Sequence, residues 1–442
     1  MLKSDKTYFY LILIHLVIGT LIYYVPLMPK IYGYSIIFGG IFYIINSKNA
    51  NNEVLYATAY MVGSEIVLRM TDGNPVYEFS KFGVMIFIII GIYFKGSSKY
   101  AVPYWIFLLL LIPATIYTTT ELNYTISLRK EISFNISGPV CLALCSIYTY
   151  NRRVSSEQLS NILLCIGLPI IACLVYLTLY TPNIKEAIID TNSNGVTSGG
   201  FGPNQVSTML GLGMFIFVSR MVLNSKSKYV FIINLAISIY MTYRGLITFS
   251  RGGVITGFVM IASLLVVSFF FISSANRIRM LIMIGFVAMV FTLAWNYSSE
   301  QTNGMIDKRY ANKDAAGRVK EDKLSGRGEL AEDEFEIFKK HPIIGVGVGR
   351  SMEHRFERTG EIVVSHSEIT RMIAEHGALG ILGLMILFLT PLILYLDNKY
   401  NVYLLCFLFF WLLTINHAAM RLAAPAFMYS LSLLKVSIKD EA

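Results

Sequence analysis

Residues 255–271 read ITGFVMIASLLVVSFFF and contain no charged side chain. Residues 379–396 form a second stretch of the same kind. A helix needs about 20 predominantly apolar residues to cross the hydrocarbon core of a bilayer, which is roughly 30 Å thick. Because a helix satisfies its backbone hydrogen bonds within one segment, both stretches are predicted to be membrane-spanning helices.

Composition extends this prediction to the whole chain. Of its 442 residues, 55% are hydrophobic and only 15% are charged, whereas charged residues make up about a quarter of a soluble protein. We therefore predict an all-α, polytopic integral membrane protein with about 12–14 transmembrane helices. The candidate spans are 8–28, 31–46, 53–70, 79–94, 101–119, 132–150, 158–180, 204–223, 228–246, 252–272, 278–297, 377–396, 400–417 and 421–436.

Lysine and arginine positions indicate which ends of the spans face the cytoplasm, since short cytoplasmic loops carry an excess of both. One set of alternating loops holds Lys3, Lys6, Lys48, Lys95, Lys99, Arg152, Arg153, Lys226, Lys228, Arg277, Arg279, Lys399, Lys435 and Lys439. Both termini are therefore predicted to be cytoplasmic. The net charge of +9 is read as an orientation signal and not as a sign of nucleic-acid binding.

The same orientation places three segments on the outer side: residues 181–203, the turn at 248–252 and the polar stretch 298–365. We predict a bundle of about 11 spans over 1–297, a large extracytoplasmic loop over 298–365 and C-terminal transmembrane helices over 366–442. Charges nearly balance in the long loop, which favours a folded, hydrated subdomain. An amphipathic helix is predicted at 329–340, where apolar residues recur at near-helical spacing with acidic residues between them. Pro342 ends this helix.

A glycine-rich segment, Gly345-Val346-Gly347-Val348-Gly349, follows that helix. It lacks the preceding strand and the Lys-Ser/Thr pair that a nucleotide-binding loop requires. Glycine permits tight turns and close approach of the backbone to a ligand, so Gly347 is a candidate substrate contact. Glu329, in the upstream motif Gly326-Arg327-Gly328-Glu329, is another candidate.

The long loop closes on Ser365-His366-Ser367-Glu368. Ser365-x-x-Glu368 matches a capping box, which predicts a helix with Ser365 at the N-cap and His366 in the first turn. The positive end of a helix disfavours an imidazolium, so His366 is expected to stay neutral and able to accept a proton. The alternative role is a histidine that only caps or packs the loop, and the pattern does not choose between them.

Ser250-Arg251-Gly252-Gly253 lies at an outer membrane boundary, where an arginine is a candidate functional residue. Next to two small residues, its guanidinium can hold an anion close to backbone amides. Arg244 lies about two helical turns earlier, on a similar face. Another predicted helix begins at Pro203 or Asn204, and its N-terminus can bind an anion or a sugar hydroxyl. The alternatives are arginines that snorkel to the headgroups and a simple helix boundary at Asn204.

Two further features are assigned structural roles. Glu65 and Arg69 are four residues apart and can pair, which lowers the cost of both in lipid. The five cysteines all lie in apolar segments and the histidines match no common zinc spacing, so neither disulfides nor a metal site is predicted.

Four segments, in this order, resemble the O-antigen ligase and O-antigen polymerase superfamily. They are Phe201-Gly202-Pro203-Asn204-Gln205, Thr248-Phe249-Ser250-Arg251-Gly252, the stretch from His341-Pro342 to Gly349, and the stretch from Ser365-His366 to His376-Gly377. The resemblance spans roughly residues 195–396. No single motif is highly specific. The four motifs together, in this order and with one consistent membrane orientation, are specific.

The resemblance implies a glycosyltransferase of the bacterial cytoplasmic (inner) membrane with its active site on the periplasmic side. Its donor would be a glycan on undecaprenyl diphosphate, transferred to an acceptor hydroxyl without nucleotide sugar, obligatory metal or other cofactor. In this family arginines bind the diphosphate and a loop histidine acts as base, which assigns these roles to Arg251 and His366. Arg327 is a weaker match to a second diphosphate contact, and Ser367 stands where the family often has asparagine.

Several acceptors fit the same machinery: lipid A core in a ligase, another glycan repeat in a polymerase, and a protein Ser or Thr in an oligosaccharyltransferase. The ligase or a related transferase is slightly favoured. Inversion at the sugar carbon is expected, because no carboxylate is clearly placed as a nucleophile; Glu329 and Glu368 are the residues that could contradict this. A transporter or lipid-glycan flippase would instead show discontinuous helices and internal pseudo-symmetry, which the sequence lacks.

Overall fold

The computed structural model describes residues 5–121, 128–225, 227–271, 273–320, 327–360, 365–398, 401–418 and 420–437. Lys3, Lys226, Lys399 and Lys439, which were counted for the orientation, lie outside the described residues. The described chain is predominantly helical, because its long apolar runs satisfy their backbone hydrogen bonds internally.

The N-terminal part of the chain consists mainly of long helices joined by short turns. They are α1 (Asp5–Tyr24), α2 (Met28–Ser47), α3 (Glu53–Met70), α4 (Phe79–Lys95), α5 (Val102–Glu121), α6 (Leu128–Thr149) and α7 (Ser156–Tyr180). A short strand, β1 (Arg153–Ser155), precedes α7.

The central part continues with α8 (Ile184–Ala187), a 3-10 turn (Val196–Ser198), α9 (Pro203–Leu223), α10 (Lys228–Leu246), α11 (Arg251–Phe271), α12 (Ser274–Gln301) and α13 (Met305–Tyr310). The C-terminal part contains α14 (Arg327–Lys340), α15 (Arg350–Thr359), α16 (Glu368–Asp397), α17 (Leu404–His417), α18 (Ala424–Leu431) and β2 (Lys435–Ser437). Strand β2 pairs in parallel with β1. The predicted amphipathic helix at 329–340 is confirmed as α14, which ends before Pro342.

Ten helices of the described chain are long and apolar enough to cross a membrane: α1, α2, α5, α6, α7, α9, α10, α11, α12 and α16. This confirms the predicted fold class, an all-α polytopic membrane protein. The last candidate span, 421–436, is wrong as a continuous helix, because α18 covers only eight residues and the chain then enters β2. Helix α17 is mostly buried. With 14 residues it is about 21 Å long, whereas the 25 residues of α7 extend over about 37 Å.

Glycines allow α9 and α11 to pack with their backbones in close contact. A Cβ atom at Gly257 would lie only 2.5 Å from the carbonyl oxygen of Gly211. Small residues at helix interfaces are a common way to bring membrane helices together, because dispersion contacts replace the hydrophobic effect in lipid. The packing fixes the N-terminus of α11 against the first turns of α9.

The three segments predicted to share one membrane face contact one another. The amide of Asn194, in the first segment, donates to the carbonyl of Thr248 in the turn at 3.0 Å. Arg309, in the long loop, donates through Nε to the carbonyl of Phe249 at 2.9 Å. These bonds confirm that residues 181–203, the turn at 248–252 and the long loop lie at the same end of the bundle.

Candidate active site

Arg251 is the first residue of α11, so its guanidinium lies where the free amides and the positive end of the helix dipole favour an anion. Its side chain is half-buried. Within the described residues, the guanidinium forms no ion pair and no hydrogen bond. Burial raises the pKa of nearby Tyr310, and the positive charges of Arg251 and Arg309 oppose that rise. The N-terminus of α11 is therefore an electropositive site suited to an anion.

Asn204 is joined to the Arg251 motif through Ser250. Helix α9 begins at Pro203, as predicted. The hydroxyl of Ser250 donates to Oδ1 of Asn204 at 2.7 Å, and the hydroxyl of Ser207 donates to Ser250 at 3.0 Å. The Asn204 amide oxygen is used inside the protein, so its observed role is to hold α9 against α11. Its role as a substrate contact stays a prediction.

His417, at the end of α17, packs directly on Gly252. A Cβ atom at Gly252 would lie 2.5 Å from Cδ2 of the His417 ring. The ring is hydrogen-bonded to the hydroxyl of Thr208 at 3.1 Å through Nε2 and to the carbonyl of Leu413 at 2.8 Å through Nδ1. Since both ring nitrogens are engaged, His417 is a rigid spacer between α11 and α17.

His366 lies immediately before α16, and the predicted cap is wrong by two residues. The N-cap is Ser367, whose side chain accepts from the amide of Thr370 at 3.4 Å, and α16 begins at Glu368. Ser365 instead forms a local turn, donating through its hydroxyl to the carbonyl of Ser367 at 3.0 Å. His366 therefore lies before the first helical turn and not within it, as had been predicted from the capping box.

Helix α17 connects the His366 segment to the Arg251 segment. Ser367 donates through its hydroxyl to Oδ1 of Asn416 at 3.3 Å. Asn416 is followed by His417, which packs on Gly252. Two consecutive residues of α17 thus contact the neighbours of His366 and of Arg251. Two of the four motifs that are far apart in sequence meet at the end of this short helix.

Sequence reasoning missed Asn416, His417 and Arg421. Arg421 donates through Nη2 to the carbonyl of Ser365 at 2.9 Å, next to His366. An arginine between two apolar helices is a functional candidate by default, and this signal was present in the sequence. Asn416 and His417 carried no such signal, because isolated polar residues at the end of an apolar run are common helix boundaries.

Glu368 is occupied by neighbouring groups. It forms a buried ion pair with Arg371, which also pairs with Glu375 at 2.6 Å. Its Oε2 accepts from the backbone amide of Met420 at 3.4 Å. The Glu368 carboxylate is thus engaged within the protein, and inversion at the sugar carbon stays a prediction. Within the described chain, no group of three or more His, Cys, Asp or Glu residues is placed to hold a metal ion.

Gly347 lies in a backbone joint between the long loop and α16. Helix α16 breaks at Gly377, where φ is 60° and ψ is −140°. The amides of Val346 and Gly347 donate to the carbonyls of Ala374 and Glu375, each at 3.1 Å. Gly347 has φ of 95°, which favours glycine. The predicted tight turn is confirmed, while a substrate contact at Gly347 stays a prediction.

Arg244 is buried and bonded to backbone carbonyls of the outer end of the bundle. Its Nη2 donates to the carbonyl of Leu177 at 2.7 Å and to that of Thr197 at 3.4 Å. With 2% of its surface exposed, the side chain holds α10 against the 181–203 segment. As a substrate contact, Arg244 remains a prediction that this placement does not support.

The remaining candidates lie at the start of α14. Glu329 is exposed in the first turn of that helix. The side chain of Arg327 lies outside the described part of the chain. Further along α14, Glu334 is buried, and its carboxylate accepts a hydrogen bond from the hydroxyl of Thr370 in α16. Burial raises the pKa of Glu334, and hydrogen bonds and nearby arginines oppose the rise.

An apolar groove of about 360 Å³ runs along α11 from a position close to Arg251. It is lined by Thr242, Leu246, Val254, Ile255, Phe258, Phe291, Thr292, Trp295 and Tyr310. Ile255 lies one turn beyond Arg251 on the same face of the helix. Phe258 and Ile255 are about half exposed, so the groove opens to the surroundings of the bundle. An electropositive end and an apolar groove therefore share one helix.

Comparison with known families gives a match within the second half of the chain. No curated protein matches the chain. Residues 236–385 match the family model described as O-antigen ligase. The matched region contains Arg251, the long loop, His366 and the break at Gly377. This match, over about a third of the chain, supports the resemblance to the O-antigen ligase superfamily.

Proposed function

We propose that this protein is a membrane glycosyltransferase that moves a glycan from an undecaprenyl diphosphate carrier to an acceptor hydroxyl. The observation that carries the proposal is the meeting of the Arg251 and His366 segments at the end of α17, through Gly252 on His417 and Ser367 on Asn416. One segment supplies an anion site and the other supplies a base. Both lie in the family-matched region.

The lipid-linked donor fits the groups around α11. Its diphosphate would bind at Arg251, because guanidinium gives bidentate hydrogen bonds to phosphate oxygens and the α11 amides add to the field. Its polyprenyl chain would follow the groove past Ile255 and Phe258. A headgroup site and a chain site on one helix suit an amphiphilic donor.

The reaction then needs only the transfer of one proton and one glycosyl group. His366 accepts the proton from the acceptor hydroxyl as the hydroxyl oxygen attacks the anomeric carbon. The bond between that carbon and the diphosphate oxygen breaks, and undecaprenyl diphosphate leaves with the bonding electron pair. Arg251 stabilises the charge that develops on the leaving group. A single displacement inverts the configuration of the sugar carbon.

The test is a transfer assay with the purified protein in nanodiscs and undecaprenyl-diphosphate-linked glycan. Lipid A core, a glycan repeat and a Ser/Thr peptide are offered as acceptors in parallel, so the product identifies the acceptor class and separates the ligase, which we favour, from the polymerase and oligosaccharyltransferase.

We expect His366→Ala to lower kcat by about 100- to 10,000-fold, the usual contribution of a general base. Arg251→Ala should instead raise the donor KM as well as lower kcat. Arg318→Ala, an exposed surface arginine of the same loop, is the matched control and should behave as the unsubstituted protein. Activity that survives both site substitutions unchanged refutes the assignment, and retention at the sugar carbon refutes the single displacement.

A further inference from the structure

The residues on both sides of His366 are held by the end of α17 and by the short segment that connects α17 to α18. Arg421 donates through Nη2 to the carbonyl of Ser365 at 2.9 Å. On the other side, Asn416 accepts from the hydroxyl of Ser367 at 3.3 Å. The segment that carries His366 is therefore fixed at the residue before it and at the residue after it.

The connecting segment is itself held from α3, which lies far away in sequence. Glu65 and Arg69 form the predicted ion pair at 2.8 Å, with almost no exposed side-chain surface. Arg69 donates through Nη2 to the carbonyl of Arg421 at 3.0 Å. Glu65 accepts through Oε2 from the amide of Ala423 at 2.8 Å. The ion pair thus fixes the backbone from which the Arg421 side chain extends.

A buried ion pair in a membrane protein is costly unless it satisfies other groups. This ion pair satisfies one backbone carbonyl and one backbone amide of the connecting segment, which lacks helical hydrogen bonds. These two bonds explain why the pair is buried there. A third bond comes from α16, where Glu368 accepts from the amide of Met420 at 3.4 Å. The connection runs without interruption from α3 through Arg421 to the carbonyl next to His366.

We propose that Arg421 is a positioning residue for the base His366, and that the Glu65–Arg69 pair of α3 supports it. The inference rests on the proposed function, in which His366 takes the proton of the acceptor hydroxyl. A base must lie within hydrogen-bond reach of that proton, and a displacement near 1 Å costs on the order of 100-fold in rate. Arg421 acts through the backbone of Ser365 and does not itself touch the substrate.

The first experiment separates positioning from substrate binding by kinetics in the nanodisc transfer assay. Arg421→Ala should lower kcat on the order of 100-fold, while the donor KM stays within about twofold of the unsubstituted protein. Arg421→Lys keeps a donor that can reach the Ser365 carbonyl and should recover part of the loss. Arg318→Ala is again the control. An increase in donor KM with unchanged kcat would mean that Arg421 contacts the donor, and would overturn the proposal.

The second experiment tests the support from α3. Arg69→Met removes the donor to the Arg421 carbonyl with similar side-chain length, and should lower kcat in the same direction as Arg421→Ala. If Arg69 acts through Arg421, the fold-loss of kcat in the double variant is smaller than the product of the fold-losses in the two single variants. Independent, multiplicative losses would show that α3 does not act through Arg421.

The third experiment tests the geometry without any glycosyl transfer. His366→Cys is labelled with a membrane-impermeant maleimide, against a background in which the five native cysteines are buried. Adding Arg421→Ala should change the labelling rate severalfold, whereas Arg318→Ala should not. An unchanged rate refutes the positioning role. If the unsubstituted protein transfers no glycan to any acceptor, the proposed function fails, and the labelling result still decides the geometry.

Discussion

Gly252→Ala should disable the site by separating its two halves. The added methyl group would lie 2.5 Å from Cδ2 of His417, whereas an ordinary van der Waals contact begins at 3.4 Å. His417 cannot turn away freely, because Thr208 and Leu413 hold both of its ring nitrogens. The N-terminus of α11 must therefore move away from α17 by about 0.9 Å, the difference between the two distances.

This movement carries Arg251 away from Asn416 and hence from the His366 segment. A misplacement near 1 Å between catalytic groups costs on the order of 100-fold in rate, which corresponds to about 2.7 kcal/mol in the activation free energy. The loss should appear in kcat/KM for the lipid-linked donor. Protein stability should fall much less, because the clash involves one methyl group at a helix end.

The assay is transfer by the purified variant in nanodiscs, with thermal unfolding measured in parallel. Gly285→Ala is the matched control, since a methyl group at this α12 glycine would meet nothing within 4 Å. His417→Ala removes the obstructing ring, so Gly252→Ala should cost less in that background than alone. Wild-type kcat/KM in Gly252→Ala, or a loss equally large without the His417 ring, would refute the reasoning.

Two further predictions concern residues around the site. Arg244→Ala should lower the free energy of unfolding by about 2–3 kcal/mol, since it removes charged hydrogen bonds to two buried carbonyls, and should leave the donor KM within twofold; a raised KM with unchanged thermal stability would instead make Arg244 a substrate contact. Burial raises the pKa of Glu334 above its ordinary value of 4.5. The folded state therefore binds this proton more tightly than the unfolded state, and the stability it contributes at low pH is lost as the pH rises through the raised pKa. Glu334→Gln should abolish this part of the pH dependence of thermal unfolding, and an unchanged pH profile would contradict it.

The sequence was sufficient for the fold class and for the placement of Arg251. Long apolar runs leave only helices as an option, and a charged residue at the end of such a run marks a helix boundary. Ten of the described helices are long and apolar enough to span a membrane, fewer than the 12–14 predicted. The ion pair between Glu65 and Arg69 was also predicted, because residues four apart on a helix are neighbours. Each of these features depends on residues that are close together in the sequence, so the local sequence pattern is enough to predict it.

The errors arise where distant segments decide the structure. Ser365 had the spacing of a capping box, yet Ser367 is the cap. Two residues from another part of the chain contact this segment: Arg421 holds the carbonyl of Ser365, and Asn416 accepts from the hydroxyl of Ser367. The helix predicted at 421–436 stops at Leu431, because the chain leaves it to pair with β1. Neither effect has a signal within the segment itself.

The break at Gly377 has a consequence for how this protein tolerates change. The joint between the long loop and α16 is made by main-chain amides and carbonyls of Val346, Gly347, Ala374 and Glu375. Apart from the glycines with positive φ, substitutions of similar size leave these hydrogen-bonding groups in place. Insertion or deletion of a single residue within the joint moves every donor out of register with its acceptor. The joint therefore constrains the length of the chain at this point more strictly than its composition.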